Sequence, residues 1–196
     1  MSSFPSWPAR VAAVVALAAL AACSTGADAV DQESGGSQRF VAGSGASTIY
    51  AEGDRKDAPD IAGTLLDGGS FRLSEARGDV VVLNFWGSWC APCRAEADDL
   101  ERVNTATKAS GVRFLGVNVK DTESRAKAFD VNYNITYPSL FDSAGRVALQ
   151  LKAAPPNAIP ATIVIDRKGR IAAVFRKGLL DDELQPVVEK IAAEKP

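Results

Sequence analysis

Cys90 and Cys93 stand three residues apart in "NFWGSWCAPCRAE", residues 84–96, behind Trp89 and around Pro92. Such a pair binds a metal, staples a loop or passes electrons. A zinc site takes four Cys or His ligands, and this chain has three cysteines in all and no histidine. Its one methionine is Met1, so no thioether is available for copper or haem. Two thiolates suit copper(I), yet Pro92 and Trp89 give no reason to expect it. As a staple the pair closes nearly the smallest possible loop, and the entropy gained by a cross-link grows with loop size. Redox exchange is the reading that remains, with no metal and no cofactor expected.

The local pattern suits that chemistry. "DVVVLNF" is a continuous β-branched run of the kind found in strands covered on both faces. A helix is expected from near Cys90 to about Ala109, with Gly111 marking its end. Cys90 then lies at the helix N-terminus, where free N–H groups and the helix dipole favour a thiolate. Lowering a thiol pKa from ~8.5 to ~7 takes about 2 kcal/mol of preference for the anion. Pro92 falls in the first turn, where its missing N–H costs nothing. Cys93 lies one turn further in and deeper, so the exposed Cys90 attacks and Cys93 resolves the mixed disulfide. Positions 93, 96, 97, 100 and 103 share a helix face, with Ala97, Leu100 and Val103 apolar. Glu96 is therefore expected at the core edge beside Cys93. Desolvation would raise its pKa, and it could take the proton of the inner thiol. The competing reading is a solvated helix glutamate, since a shift of one position would expose it. Asn84, the one polar residue of its run, reads as a hydrogen-bonded structural amide.

The elements that hold this site alternate. "TLLDGGSFRL" reads as a hairpin, "VRFLGVNV" as a second buried strand, "TESRAKAFDVNY" as a helix and "TYPSLFD" as a short strand. "ATIVID" and "RIAAVF" form a hairpin around residues 167–169, and "DDELQPVVEKIAAE" is a closing helix with acids in its first turn. The sum is an α/β layered domain.

Composition bounds the rest. A net charge of −2 and 46% hydrophobic residues in 196 fit one globular domain with terminal segments, and give no reason to expect nucleic acid. Arg10 precedes an apolar run, residues 11–22, that is long enough for a signal-peptide core and short for a membrane span. "LAAC" resembles the lipobox of bacterial lipoproteins, which implies a diacylglycerol on Cys23. The expected organisation is a signal peptide over residues 1–22, a lipidated tether over 23–57 and the working domain over 58–196. Glycine, serine and acids dominate residues 24–57, giving a reach of roughly 30 Å, with "RFVA" and "STIY" left open as a small strand or hairpin. The domain would then work at the outer face of the cytoplasmic membrane, where disulfides persist.

"VVLNFWGSWCAPCRAE", with "APDIAGTLLDGGSFRLSEARGD" before it and "YPSLFDSAGR" and "NAIPATIVIDRKGRI" after, resembles the thioredoxin-like TlpA/ResA family over most of residues 58–196. The resemblance implies a central mixed β-sheet flanked by helices, with an N-terminal hairpin extension and a central insertion. It implies that Pro160 is cis and faces the Cys90–Cys93 pair, that Ile159 presents its backbone to a bound segment, and that Trp89 is the exposed aromatic beside Cys90. By sequence alone Pro160 is an ordinary strand-opening proline, and Trp89 could equally be a partly buried core residue. Glu96 matches the glutamate that this branch carries after the second cysteine. Asn84 replaces the buried aspartate of thioredoxins proper, and Asp98 stands where the family often has a proline, which puts a helix kink there in doubt. The implied activity is reduction of protein disulfides, as in apocytochrome c before haem attachment, by a monomer recycled by a membrane thiol–disulfide partner. The alternatives are an oxidant that makes disulfides in secreted proteins, or a binding lipoprotein that keeps the fold without catalysis.

Overall fold

The computed structural model of the protein describes residues 47–195. Nine strands and four α-helices are present among them. In chain order they are β1 (Ser47–Ile49), β2 (Lys56–Asp57), β3 (Ala62–Thr64), β4 (Ser70–Arg72), β5 (Val80–Trp86), α1 (Ala91–Thr107), β6 (Val112–Val119), α2 (Glu123–Asn132), β7 (Ser139–Asp142), α3 (Arg146–Gln150), β8 (Ala161–Ile165), β9 (Arg170–Phe175) and α4 (Asp181–Ala192). The main sheet runs β1-β9-β8-β5-β6-β7, with β2 also on β9; β3 and β4 form a separate hairpin. β5, β6 and β7 are parallel, whereas β8 and β9 run antiparallel to their neighbours, so the sheet is mixed.

The apolar run of β5 is explained by its central place: all seven residues are buried. Val80 and Val82 pack with Leu100 and Val103 of α1 and with Leu184, Val188 and Ile191 of α4. Val81, Leu83 and Phe85 point to the opposite face, into a cluster with Ala126 and Phe129 of α2. That alternation follows from the two-residue period of a strand. Trp86 closes the second cluster against Phe129, ring centroids 4.3 Å apart, and donates from Nε1 to Ser139 Oγ at 3.2 Å. Gly116 makes room for that bond, since a Cβ there would lie 2.1 Å from Ser139 Oγ.

α1 runs from Ala91 to Thr107 without a break at Asp98. A short 3₁₀ turn follows, and Gly111 ends it with a left-handed φ of 73° that glycine adopts at no steric cost. The expected hairpins, strands and closing helix are present. α3, a five-residue helix between β7 and β8, carries too little periodicity to be read from sequence.

One boundary moves. Residues 47–57, assigned to the tether by composition, belong to the sheet: Ser47, Thr48 and Ile49 pair with Phe175, Val174 and Ala173, and Lys56 and Asp57 with Ile171 and Arg170. All five are exposed, so they lack the apolar alternation that marks a half-buried strand. Arg55 pins this strap from below. Its Nη1 donates to Asp166 Oδ2 at 3.0 Å and its Nη2 to Glu194 Oε1 at 2.6 Å. Among the described residues no helix is long and apolar enough to cross a membrane.

Candidate active site

β5 ends at Trp86, and three residues carry the chain to Cys90 at the N-cap of α1. The Cys90 N–H is tied back to the Gly87 carbonyl at 3.0 Å, and the Cys93 N–H donates to Cys90 Sγ at 3.2 Å. One of the helix's free N–H groups thus points at the sulfur, the arrangement that stabilises a thiolate there. Cys90 and Cys93 are joined as a disulfide, with Cα atoms 5.3 Å apart. Cys90 is 5% exposed and Cys93 2%. The expected order holds, with Cys93 the deeper, but Cys90 is far less open than the helix position alone suggests. Cys90 belongs to an apolar cluster that also contains Phe85 of β5 and Ile159 from the loop before β8, with Trp89 packed against it.

Glu96 lies one turn beyond Cys93 and is 2% exposed, which excludes the solvated reading. Its Oε1 accepts from Asn84 Nδ2 at 2.9 Å and its Oε2 from the Leu179 N–H at 3.0 Å. Burial pushes the carboxyl up to about 8, against the two N–H donors that favour the anion, with the Asp99 charge adding slightly to the rise. Asn84 is a structural amide with a specific duty: its Nδ2 also donates to Thr162 Oγ1 at 3.2 Å, linking β5, α1 and β8. Sequence reasoning found Asn84 and Glu96 separately and missed their bond, along with Thr162 and the Leu179 N–H. Partners on different elements leave no periodic signal.

The Ile159–Pro160 bond is cis. It directly precedes β8, whose first residue, Ala161, pairs with Phe85 near the end of β5, so Pro160 and the disulfide lie at the same end of the sheet. Ile159 and Pro160 are both buried. Beside them opens a cleft of about 530 Å³ lined by Phe85, Lys120, Leu149, Leu151, Pro155 and Ile159. Trp89 is half-buried and donates from Nε1 to the Lys120 carbonyl at 3.0 Å. Cys23 lies outside the described residues.

A mixed sheet carrying a Cys-x-x-Cys disulfide at the start of its first long helix, with a cis-proline at the same end of the sheet, defines a thioredoxin-like thiol–disulfide oxidoreductase. The chain belongs to the AhpC/TSA family, whose pattern matches residues 55–174. It is similar to the thiol-disulfide oxidoreductase ResA of Geobacillus kaustophilus, 31% identical over 134 residues that cover 68% of this chain and 75% of that one. Among solved structures it resembles a secreted thiol-disulfide isomerase from Corynebacterium glutamicum, with a TM-score of 0.73 and 36% identity over 82% of this chain and all of that one. A DsbF homologue from Corynebacterium diphtheriae is similar at a TM-score of 0.70 and 36% identity, over 79% of this chain and 99% of that one.

Proposed function

We propose that the protein reduces disulfides in extracytoplasmic polypeptides while held at the outer face of the cytoplasmic membrane through a lipid on Cys23. The observation that carries the redox part is the Cys90–Cys93 pair capping α1 with buried Glu96 one turn behind it. In the reduced protein the Cys90 thiolate attacks one sulfur of a client disulfide; a new S–S bond forms, and the client's other sulfur leaves as a thiolate. Cys93, giving its proton to the Glu96 carboxylate, attacks Cys90 Sγ and releases the second client sulfur. The client gains two electrons and, from solvent, two protons, and the pair closes as the disulfide. A membrane dithiol partner then restores the thiols. Trp89, Ile159 and Pro160 form the lip against which the client backbone lies, and the apolar cleft beyond Ile159 has room for a client side chain. The resemblance to the TlpA/ResA branch supports apocytochrome c as the client class and a monomer as the working form.

Two measurements test this. Cys93→Ser should accumulate mixed disulfides with clients, and Cys90→Ser should not; if neither traps anything, exchange with proteins is rejected. Redox titration of the pair should give a potential below about −230 mV, whereas a value near −120 mV would mark an oxidant that makes disulfides in secreted proteins.

A further inference from the structure

Asp121 follows β6 and Lys120, and its carboxylate gathers four donors. Oδ2 accepts from the Ser88 N–H at 2.6 Å and from Asn118 Nδ2 at 3.1 Å. Oδ1 accepts from the Ser88 hydroxyl at 2.9 Å and from the Thr122 N–H at 2.9 Å. Two of these donors belong to the residue that sits two before Cys90. The neighbouring Lys120, at a left-handed φ of 50°, turns its carbonyl onto the Trp89 indole N–H, a conformation that a residue with a side chain keeps only where its surroundings impose it. From the other side, Arg94 Nη1 donates to the Ser88 carbonyl at 2.9 Å. Gly87 admits the ring: a Cβ there would lie 2.8 Å from Trp89 Nε1. The segment 87–89 therefore has few ways to move while Asp121 holds it.

We infer that Asp121 is a positioning residue for disulfide exchange, clamping Ser88 so that Trp89 and the entry to Cys90 keep the shape that receives a client polypeptide. Burial alone would lift the Asp121 carboxyl, but the Ser88 N–H, the Asn118 amide, the Ser88 hydroxyl and the Thr122 N–H outweigh it and hold the group below the ordinary carboxylate range. It is thus an anion at neutral pH, and hydrogen bonds to a charged acceptor are the stronger kind. The contact joins the end of β6 to the loop after β5, two parallel neighbours whose C-terminal ends face the client. The inference rests on the reading that Cys90 exchanges with protein disulfides, and extends it to the residue that shapes the surface around the sulfur.

The test uses the full chain with insulin as the disulfide client and dithiothreitol as the reductant. Asp121→Ala should raise the KM for insulin about tenfold and leave kcat within about twofold, because a loosened lip costs binding geometry rather than sulfur chemistry. Asp121→Asn keeps one acceptor and should give a smaller rise in the same constant; it carries the test if the alanine variant does not fold. Ser88→Ala removes the hydroxyl bond alone and should fall between wild type and Asp121→Ala. Unchanged KM in folded Asp121 variants, even with lowered melting temperature, overturns the inference and leaves a structural bond. A wild-type chain inert toward insulin overturns the exchange reading and this inference with it, whereas an active wild type beside an unaffected variant overturns the inference alone.

Discussion

At Glu96 the N–H donors of Asn84 and Leu179 favour the carboxylate while burial favours the acid, and burial wins, with the group pushed up to about 8. The unfolded chain releases this proton near the ordinary value of about 4.3, so the folded state holds a proton that the unfolded state has lost throughout the interval between. Stability from this group is complete below the unfolded value and falls as pH rises to about 8. Glu96→Gln removes the titration, and urea unfolding at pH 5 and pH 8 should show the variant gaining about 3–5 kcal/mol on the wild type between them. Asp130, pushed up to about 7 by burial, acts in the same sense in both proteins and cancels in the difference. In exchange assays the wild-type rate should climb through pH 8 as Glu96 becomes able to accept the Cys93 proton, and the glutamine variant should be slower with no such climb. The apparent thiol pKa of the pair should fall in the variant, because a nearby negative charge raises it and the three groups titrate together. Superimposable pH profiles for the two proteins would reduce Glu96 to a packing residue.

The strap of β1 and β2 is held by side chains as well as by strand pairing. Its five strand residues are exposed and bury little apolar surface, so the Arg55 guanidinium, the Glu52 pairs with Lys168 and Arg170, and Tyr50 against the core add to the pairing. Arg55 and Asp166 side chains are each 4% exposed. Burial by itself would raise Asp166, but the Arg170 N–H and the Arg55 and Arg170 guanidinium groups outweigh it and keep the carboxyl below its usual range. Removing Arg55 leaves Asp166 its pair with Arg170 and costs the charged hydrogen bonds to Asp166 and Glu194. Arg55→Ala should destabilise the protein by about 3 kcal/mol, the scale of two lost hydrogen bonds between charged groups, as read by denaturant unfolding. Limited proteolysis should cut first within residues 47–57, with the domain after them persisting because Arg170 still neutralises Asp166. Equal cleavage rates in variant and wild type would mean that the strand pairing alone holds the strap.

For the whole molecule, the register fixes where the chain enters. Ser47 pairs with Phe175, Phe175 with Thr162, and Thr162 with Asn84, so the strap meets the sheet at the end that carries Pro160 and the disulfide. Cys23→Ser should move the protein from the membrane fraction to the soluble one or block its processing. Unchanged partitioning into detergent together with an intact N-terminus would reject the lipid anchor.

Most of the elements, and the chemistry, are legible in the residues alone. The β-branched run of β5, the helix start at Cys90 and the face shared by Cys93, Glu96, Ala97 and Leu100 are local patterns, set by strand and helix periods and legible without a partner. The absence of histidine and the tight spacing of Cys90 and Cys93 narrowed the reaction to sulfur exchange before any fold was in view. Which residues meet is set by how those elements pack. Glu96 meets Asn84 across 12 residues and Leu179 across 83, and Ser88 meets Asp121 across 33. These pairings depend on strand order and register, which a single chain's periodicity does not encode. The same reason hid β1 and β2, since an exposed strand on a sheet edge is specified by its neighbour's backbone and not by its own apolar residues. The near burial of Cys90 likewise belongs to the packed cluster, to which β5 contributes Phe85 and the loop before β8 contributes Ile159.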